Sequence, residues 1–260
     1  MILHEIAAKT KERIERAKRG CSLSDLKAQV ADGSCEPRFP FEEALRKKGL
    51  RFLCEVKKAS PSKGVIAGDF PYVGIAREYE EAGADAVSVL TEPFFFQGRD
   101  EYLKEIRQAV TLPLLRKDFT VDEYMIYEAK LLGADAVLLI CALLSEGQLK
   151  EYLQIAQSIG LSALVEVHDE KEVEMALAAS ASVIGVNNRN LKDFSVDLRT
   201  SVRLRPLVPR SAVFVSESGV ETARDVARLR ENGADAVLIG EILMRSPDKK
   251  AKLRELGLGT

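Results

Sequence analysis

Gly-Ala-Asp-Ala-Val occurs three times in this chain, at 83–87, 133–137 and 233–237, and a degenerate Ser-Ala-Ser-Val-Ile stands at 180–184. The three full copies fall on a 50-residue grid, and a fixed period of that kind marks a repeated structural unit. In each copy the glycine is placed to stop a helix and the Ala-Val to open a strand. The hydrophobic pattern predicts strands at 51–57, 86–91, 112–117, 136–141, 162–168, 183–187, 212–217 and 236–240. Helical patterns lie between and after them, near 72–82, 99–109, 122–132, 147–158, 170–179, 197–205, 221–232 and 248–256. Short apolar runs spaced by about 25 residues, each followed by a helix, argue for parallel βα units. Each grid step spans two such units. A doubly wound sheet rarely has this regularity, so the expected fold is an α/β (βα)8 TIM barrel.

The first 50 residues precede the alternation. Residues 2–18 carry Ile2, Leu3, Ile6, Ile14 and Ala17 in a modest amphipathic pattern. A second short helix is expected over 22–34, ended by Asp32-Gly33-Ser34, and a third over 42–48 after Phe39-Pro40-Phe41. The expected layout is an N-terminal helical extension at 1–50 and the barrel at 51–260, forming one structural domain. At 260 residues and 46% hydrophobic, the chain can bury one large core.

Charge excludes several functions. The 38 basic and 40 acidic residues are interspersed, the net charge is −2 and the pI is near 5.9, which gives no electrostatic case for nucleic acid. The longest apolar run, Ala136–Leu144, is too short to span a bilayer, and Met1–Gly20 has no apolar leader segment. Cys21, Cys35, Cys54 and Cys141 lack paired spacing, and two of them fall in predicted strands, which suits buried thiols in a reducing compartment. With only His4 and His168, no metal site is expected. A soluble cytoplasmic protein that touches neither membrane nor nucleic acid is the expectation.

Barrel active sites sit at the C-terminal strand ends. Here those ends read Glu55 and Lys57, Thr91-Glu92, Lys117-Asp118, Glu166-Val167-His168, Asn187-Asn188-Arg189, Ser216-Glu217-Ser218-Gly219 and Gly240-Glu241. Strand alternation aligns Leu53 with Glu55 and Lys57, Leu115 with Lys117, Leu164 with Glu166, and Gly185 with Asn187. Charges from several strands therefore converge on one cup. A solvated ring of ion pairs would explain any single pair, but poorly explains all of them. Ser60-Pro61-Ser62-Lys63-Gly64 and the glycines at 219 and 240 suit a phosphate held by backbone N–H groups. Glu241 is an awkward neighbour for an anion, so its side chain is expected to point away. Lysines and glutamates in one pocket allow a general acid, a Schiff-base nucleophile or a carboxylate base. Spacing alone does not choose among them.

The segments Glu55–Gly64, Leu115–Phe119, Glu166–His168, Asn187–Leu191 and Ser216–Gly219 resemble those of indole-3-glycerol phosphate synthases, in order and with intervening lengths preserved. The resemblance runs through nearly the whole chain and is strongest from residue 51. It implies a tryptophan-biosynthesis lyase without a cofactor, which closes 1-(2-carboxyphenylamino)-1-deoxyribulose 5-phosphate to indole-3-glycerol phosphate, releasing CO2 and water. By motif position, Lys117 is similar to the family's general acid and Glu166 to its carboxylate partner. Glu55 and Lys57 resemble a second catalytic pair, and Asn187 and Ser218 resemble residues that orient the substrate. Ser60, Gly219 and Gly240 match the phosphate end, Arg189 the substrate carboxylate, and Phe96 and Phe119 the aryl walls; Glu217 joins the substrate-binding set. Other tryptophan-pathway enzymes become candidate partners. Phe94 departs from the family, making an apolar Phe94-Phe95-Phe96 run where a polar residue is common. The rival readings are another phosphate-sugar barrel (an isomerase or a Schiff-base aldolase) and a catalytically dead barrel kept as a scaffold. The second would have lost a strand-end charge, and none is missing.

Overall fold

Alternation along eight short strands builds the molecule, which is seen in a computed structural model that describes residues 2–33 and 37–257. The strands are β1 (Arg51–Val56), β2 (Ala86–Leu90), β3 (Leu114–Lys117), β4 (Ala136–Ile140), β5 (Ser162–Val167), β6 (Val183–Asn187), β7 (Val213–Glu217) and β8 (Ala236–Ile239). Each is parallel to its neighbours, and β8 pairs with β1 to close the barrel. Leu53, Leu115, Leu138, Leu164, Val183, Val215 and Leu238 turn inward and fill the barrel. Their neighbours Phe52, Cys54, Val87, Val165 and Phe214 face outward into the layer beneath the helices.

The helices are α1 (Ile2–Gly20), α2 (Leu23–Asp32), α3 (Pro40–Leu45), α4 (Tyr72–Ala82), α5 (Asp100–Ala109), α6 (Tyr124–Leu131), α7 (Glu146–Ser158), α8 (Glu170–Ala178), α9 (Arg199–Leu204), α10 (Ala223–Glu231), α11 (Glu241–Arg245) and α12 (Lys249–Glu255). Helix α2 is shorter than expected, because Ser22 caps it in a reciprocal box with Asp25. Its expected end at Ser34, and Cys35, lie outside the described residues. Strand β3 begins at Leu114 rather than 112, since Pro113 has no N–H to give to a ladder. Pro206 likewise ends α9 early, and the chain continues as a single 3-10 turn over Arg205–Leu207. Cys141 falls just past β4, in another 3-10 turn. Two elements are absent from the sequence expectation: α11 and a hairpin that pairs Ala59–Ser60 with Gly64–Val65 after β1.

The repeat has a definite structural meaning. Asp85, Asp135 and Asp235 each accept a backbone N–H from the start of the preceding strand: Phe52, Leu114 and Phe214, at 2.8, 2.9 and 2.8 Å. The glycine before each Asp is left-handed, with φ of 91°, 86° and 82°. In the degenerate copy Ser180 takes the same conformation, φ 64°, at a local cost of roughly 1 kcal/mol. Ser182 replaces the aspartate there and donates instead to Glu42 of α3, at 2.6 Å.

The N-terminal extension meets the barrel at both ends. Phe41 and Leu45 of α3 are fully buried within the same cluster as the inner barrel residues, plugging the end where the strands begin. Helix α1 packs with α2 against α6 through Ala7, Ile14, Leu26, Val121, Tyr124 and Met125. Its first turn, Ile2, Leu3 and Ile6, reaches the opposite mouth. A buried charge network fixes that edge. Arg116, 2% exposed, donates to Asp100, Glu128 and the Met125 carbonyl at 2.8, 2.6 and 3.1 Å. Asp118 accepts from Arg13 of α1 at 2.7 Å and from Thr91 at 2.8 Å. Every charge in this network has a partner, the condition under which buried ions are tolerable. The network brackets Lys117 in sequence and so fixes the end of β3.

Candidate active site

The C-terminal strand ends surround a cavity of about 1040 Å³. Glu55, Lys57, Ser60, Phe96, Lys117, Phe119, Glu166, Asn187, Arg189, Glu217, Ser218, Gly219 and Gly240 all line it, so each site residue expected from the sequence reaches one space.

Lys117 occupies its charged centre. Its Nζ lies 3.1 Å from Glu217 Oε2 and 3.4 Å from Glu166 Oε2. Burial alone would lower the Lys117 ammonium, but the Glu217, Glu166 and Glu55 carboxylates outweigh it and hold the pKa above its ordinary value. Lys117 is therefore a protonated ammonium, not the neutral amine that a neighbouring cation would produce. Its two carboxylates are not equivalent. Glu166 is drawn below the usual range, because Lys117, His168 and Asn187 overcome its burial. Glu217 is pushed up by burial and by the Glu166 charge, against the pull of Lys117. Glu217, expected from the sequence among the substrate-binding residues, has the carboxylate nearest Lys117.

A second pair stands beside the first, with Lys57 Nζ 2.5 Å from Glu55 Oε2. Two glycines make room for these carboxylates. A Cβ on Gly185 would overlap Glu217 Oε1, and one on Gly240 would overlap Glu55 Oε2. Gly240 thus has a steric duty toward Glu55 besides its place near the expected phosphate.

Neighbouring strand ends hold the rest in register. Asn187 donates to Glu166 Oε1 at 3.1 Å and accepts the Arg189 N–H at 3.0 Å. Asn188, buried, donates to the Glu217 and Ser218 carbonyls at 2.9 and 3.0 Å, pinning the β7 loop. Ser218 and Gly219 follow in left-handed conformation, φ 66° and 92°. Ser218 is a non-glycine residue held off its preferred backbone, as often happens at functional sites. Arg189 donates to the Phe194 carbonyl at 3.1 Å.

Phe96 and Phe119 form one wall, with ring centroids 5.8 Å apart. Glu92 builds it: fully buried, its carboxylate accepts the N–H groups of Phe94, Phe95 and Phe96 at 2.9, 2.7 and 2.9 Å. Phe94 itself is 48% exposed, so the departing residue of this run points to solvent. Glu92→Ala is expected to remove about 2–3 kcal/mol of stability and to raise KM about tenfold as the Phe96 wall loosens. Thermal melts and steady-state kinetics would read both, and an unchanged KM would detach Glu92 from the wall.

Glu241 is among the residues around the cavity, and its Oε1 lies 3.5 Å from Lys63 Nζ and 3.2 Å from Arg245 Nε. These two cations offset its charge. Elsewhere, the buried Cys54 and Cys141 are free thiols whose pKa is raised by burial, Cys141 to about 12, leaving them chemically quiet. Among the described residues, no group of three or more His, Cys, Asp or Glu side chains is arranged to hold a metal. No helix among them is long and apolar enough to cross a membrane.

Comparison with known proteins agrees with the geometry. Among solved structures, 3-hexulose-6-phosphate synthase from Salmonella typhimurium aligns with a TM-score of 0.65 and 15% identity, over 80% of this chain and 96% of that one. Thiamine phosphate pyrophosphorylase from Pyrococcus furiosus aligns at 0.61 and 18% identity, over 83% and 95%; at these identities the likeness concerns the fold alone. Curated indole-3-glycerol phosphate synthases are far nearer in sequence. That of Ruminiclostridium cellulolyticum is 57% identical over 98% of both chains. That of Endomicrobium trichonymphae is 54% identical over 98% of this chain and 99% of its own. The sequence model of the family matches residues 3–256, and on this agreement from end to end the chain belongs to the indole-3-glycerol phosphate synthase family.

Proposed function

We propose that the cavity converts 1-(2-carboxyphenylamino)-1-deoxyribulose 5-phosphate to indole-3-glycerol phosphate, with Lys117 as the acid. In this reading the Lys117 ammonium gives its proton to the substrate carbonyl oxygen as the aryl carbon attacks. CO2 then leaves the ring, and water departs in the final step. The carrying observation is the Lys117 ammonium gripped by two buried carboxylates, with the Phe96–Phe119 pair in the same cavity. An ammonium kept charged by its neighbours is in the correct state for an acid, and the wrong state for a Schiff-base nucleophile.

Glu166 is the carboxylate that stabilises charge beside Lys117, and Glu55 with Lys57 serves the dehydration. Asn187 and Ser218 orient the substrate, and Arg189 stands for the departing carboxylate. Glu217 acts on the substrate from beside Lys117. The phosphate is assigned to Ser60, Gly219 and Gly240, on the loops that follow the three consecutive barrel strands β1, β7 and β8. A cytoplasmic location belongs to the same reading, and the free thiols at Cys21, Cys54 and Cys141 support it.

The test is direct. Purified protein mixed with the carboxyphenylamino-deoxyribulose phosphate, without added metal or cofactor, is expected to produce indole fluorescence over time. Tight binding without any rise in fluorescence would leave a substrate-holding barrel without the chemistry.

A further inference from the structure

The two carboxylates around Lys117 come from β5 and β7, on either side of β6, and share one ammonium, so something must decide which of them stays ionised. Glu166 has a further neighbour that Glu217 lacks. His168, two residues on, places Nε2 3.3 Å from Glu166 Oε1. This contact is off the ideal hydrogen-bond line, a close approach rather than a directed bond. The other ring nitrogen, Nδ1, is 2.9 Å from Glu172 Oε2, and the same oxygen takes the His168 backbone N–H at 2.8 Å.

An ionised carboxylate only accepts. A neutral ring would turn the lone pair of one nitrogen toward a carboxylate, so a ring with a carboxylate beside each nitrogen is favoured as the doubly protonated imidazolium. We infer that His168, clamped by Glu172 of α8, is a positioning residue that holds Glu166 as a fixed, ionised carboxylate facing Lys117. The inference rests on the catalytic reading given for Lys117 and Glu166.

The surroundings agree. Glu166 and Glu172 are the charged groups on the imidazole itself. Beyond Glu166 stand Lys117 on β3, Asn187 on β6 and Glu217 on β7. Past the end of β4, the Cys141 thiol donates to the Glu172 carbonyl at 3.7 Å and is neutral, its pKa near 12. Asp169 is occupied in capping α8, accepting the Glu172 N–H at 3.0 Å. Burial opposes the charge on His168, but Glu166 and Glu172 overcome it and lift its pKa to about 10.

This arrangement also fixes a sign for stability. A histidine raised from about 6.5 to about 10 contributes stability that is fully present below pH 6.5 and lost as pH rises through 10. The melting-temperature gap between wild type and His168→Gln should therefore close at alkaline pH.

The chain has two histidines, His4 and His168, so imidazole resonances can be followed by heteronuclear NMR on the full chain, with His168→Gln assigning the signals. The His168 ring is expected to remain cationic and unchanged between about pH 5.5 and 8.5. His168→Gln and Glu172→Gln are expected to lower kcat by up to about 10²-fold with little change in KM. They should also shift the acid limb of the kcat profile to higher pH, as Glu166 loses its second cation. A purely structural histidine would lower the melting temperature without moving that limb. Titration of His168 near its ordinary value, or an unshifted acid limb in both variants, overturns the inference. A cationic His168 in a chain that makes no indole would leave the inference standing and sink the catalytic reading instead.

Discussion

Lys117→Ala is expected to lower kcat for ring closure by about 10²–10⁴-fold, the usual worth of a positioned proton donor, while the substrate still binds. The loss has two components. The proton for the carbonyl oxygen disappears with the ammonium. In addition, Glu166 and Glu217 would face each other across the rim without the cation that each contacts, at 3.4 and 3.1 Å. Two buried carboxylates so placed do not both stay ionised, so one takes up a proton and the charge pattern around the substrate changes. Binding is expected to survive because Ser60, Gly219, Gly240 and the Phe96–Phe119 wall are held by other contacts. Stopped-flow indole fluorescence for turnover, and calorimetry for binding, would separate the two effects. Near-normal turnover in the variant would remove Lys117 from the role of acid.

Gly185→Ala is expected to be nearly as damaging to catalysis, though the substitution adds one methyl group to a residue with no chemistry. Its Cβ would overlap Glu217 Oε1 and come within 3.0 Å of Leu164 Cδ1. Glu217 is the more movable neighbour, being the end of a flexible side chain. The fold should therefore persist, with stability changed by no more than about 1 kcal/mol, and the carboxylate should be displaced from Lys117. A displacement of about 1 Å in a group that acts on the substrate is enough for about a 10²-fold fall in kcat. A melt similar to wild type with strongly reduced kcat is the expected combination. Full activity would mean that Glu217 can leave its place over Gly185 without consequence.

The architecture was legible because two periods coincide in the sequence, alternation of two inside each strand and the 50-residue grid outside them. The converging strand ends followed from the same alternation. Features without a period stayed hidden. The hairpin after β1 has two residues per strand, too short to alternate, and α11 is five residues long with no side chain capping its start. Arg116 carries no sequence mark of its burial, since its partners Asp100, Glu128 and the Met125 carbonyl lie on other elements. The duty of Gly185 depends on Glu217, 32 positions away in the chain. Once the barrel order is accepted, adjacent strands and the pairing of Asn187 with Glu217 bring the two together. A glycine two residues below an inward-facing strand end is the signal that could have found it.

The one broken copy of the repeat has a consequence for how the N-terminal extension is anchored. Three intact copies clasp their strands identically through Asp85, Asp135 and Asp235. An aspartate at position 182 would set a second carboxylate against Glu42, where serine offers a hydroxyl. The exception in the repeat thus gives α3 a tie to the start of β6, 140 positions on in the chain, besides its short covalent link to β1.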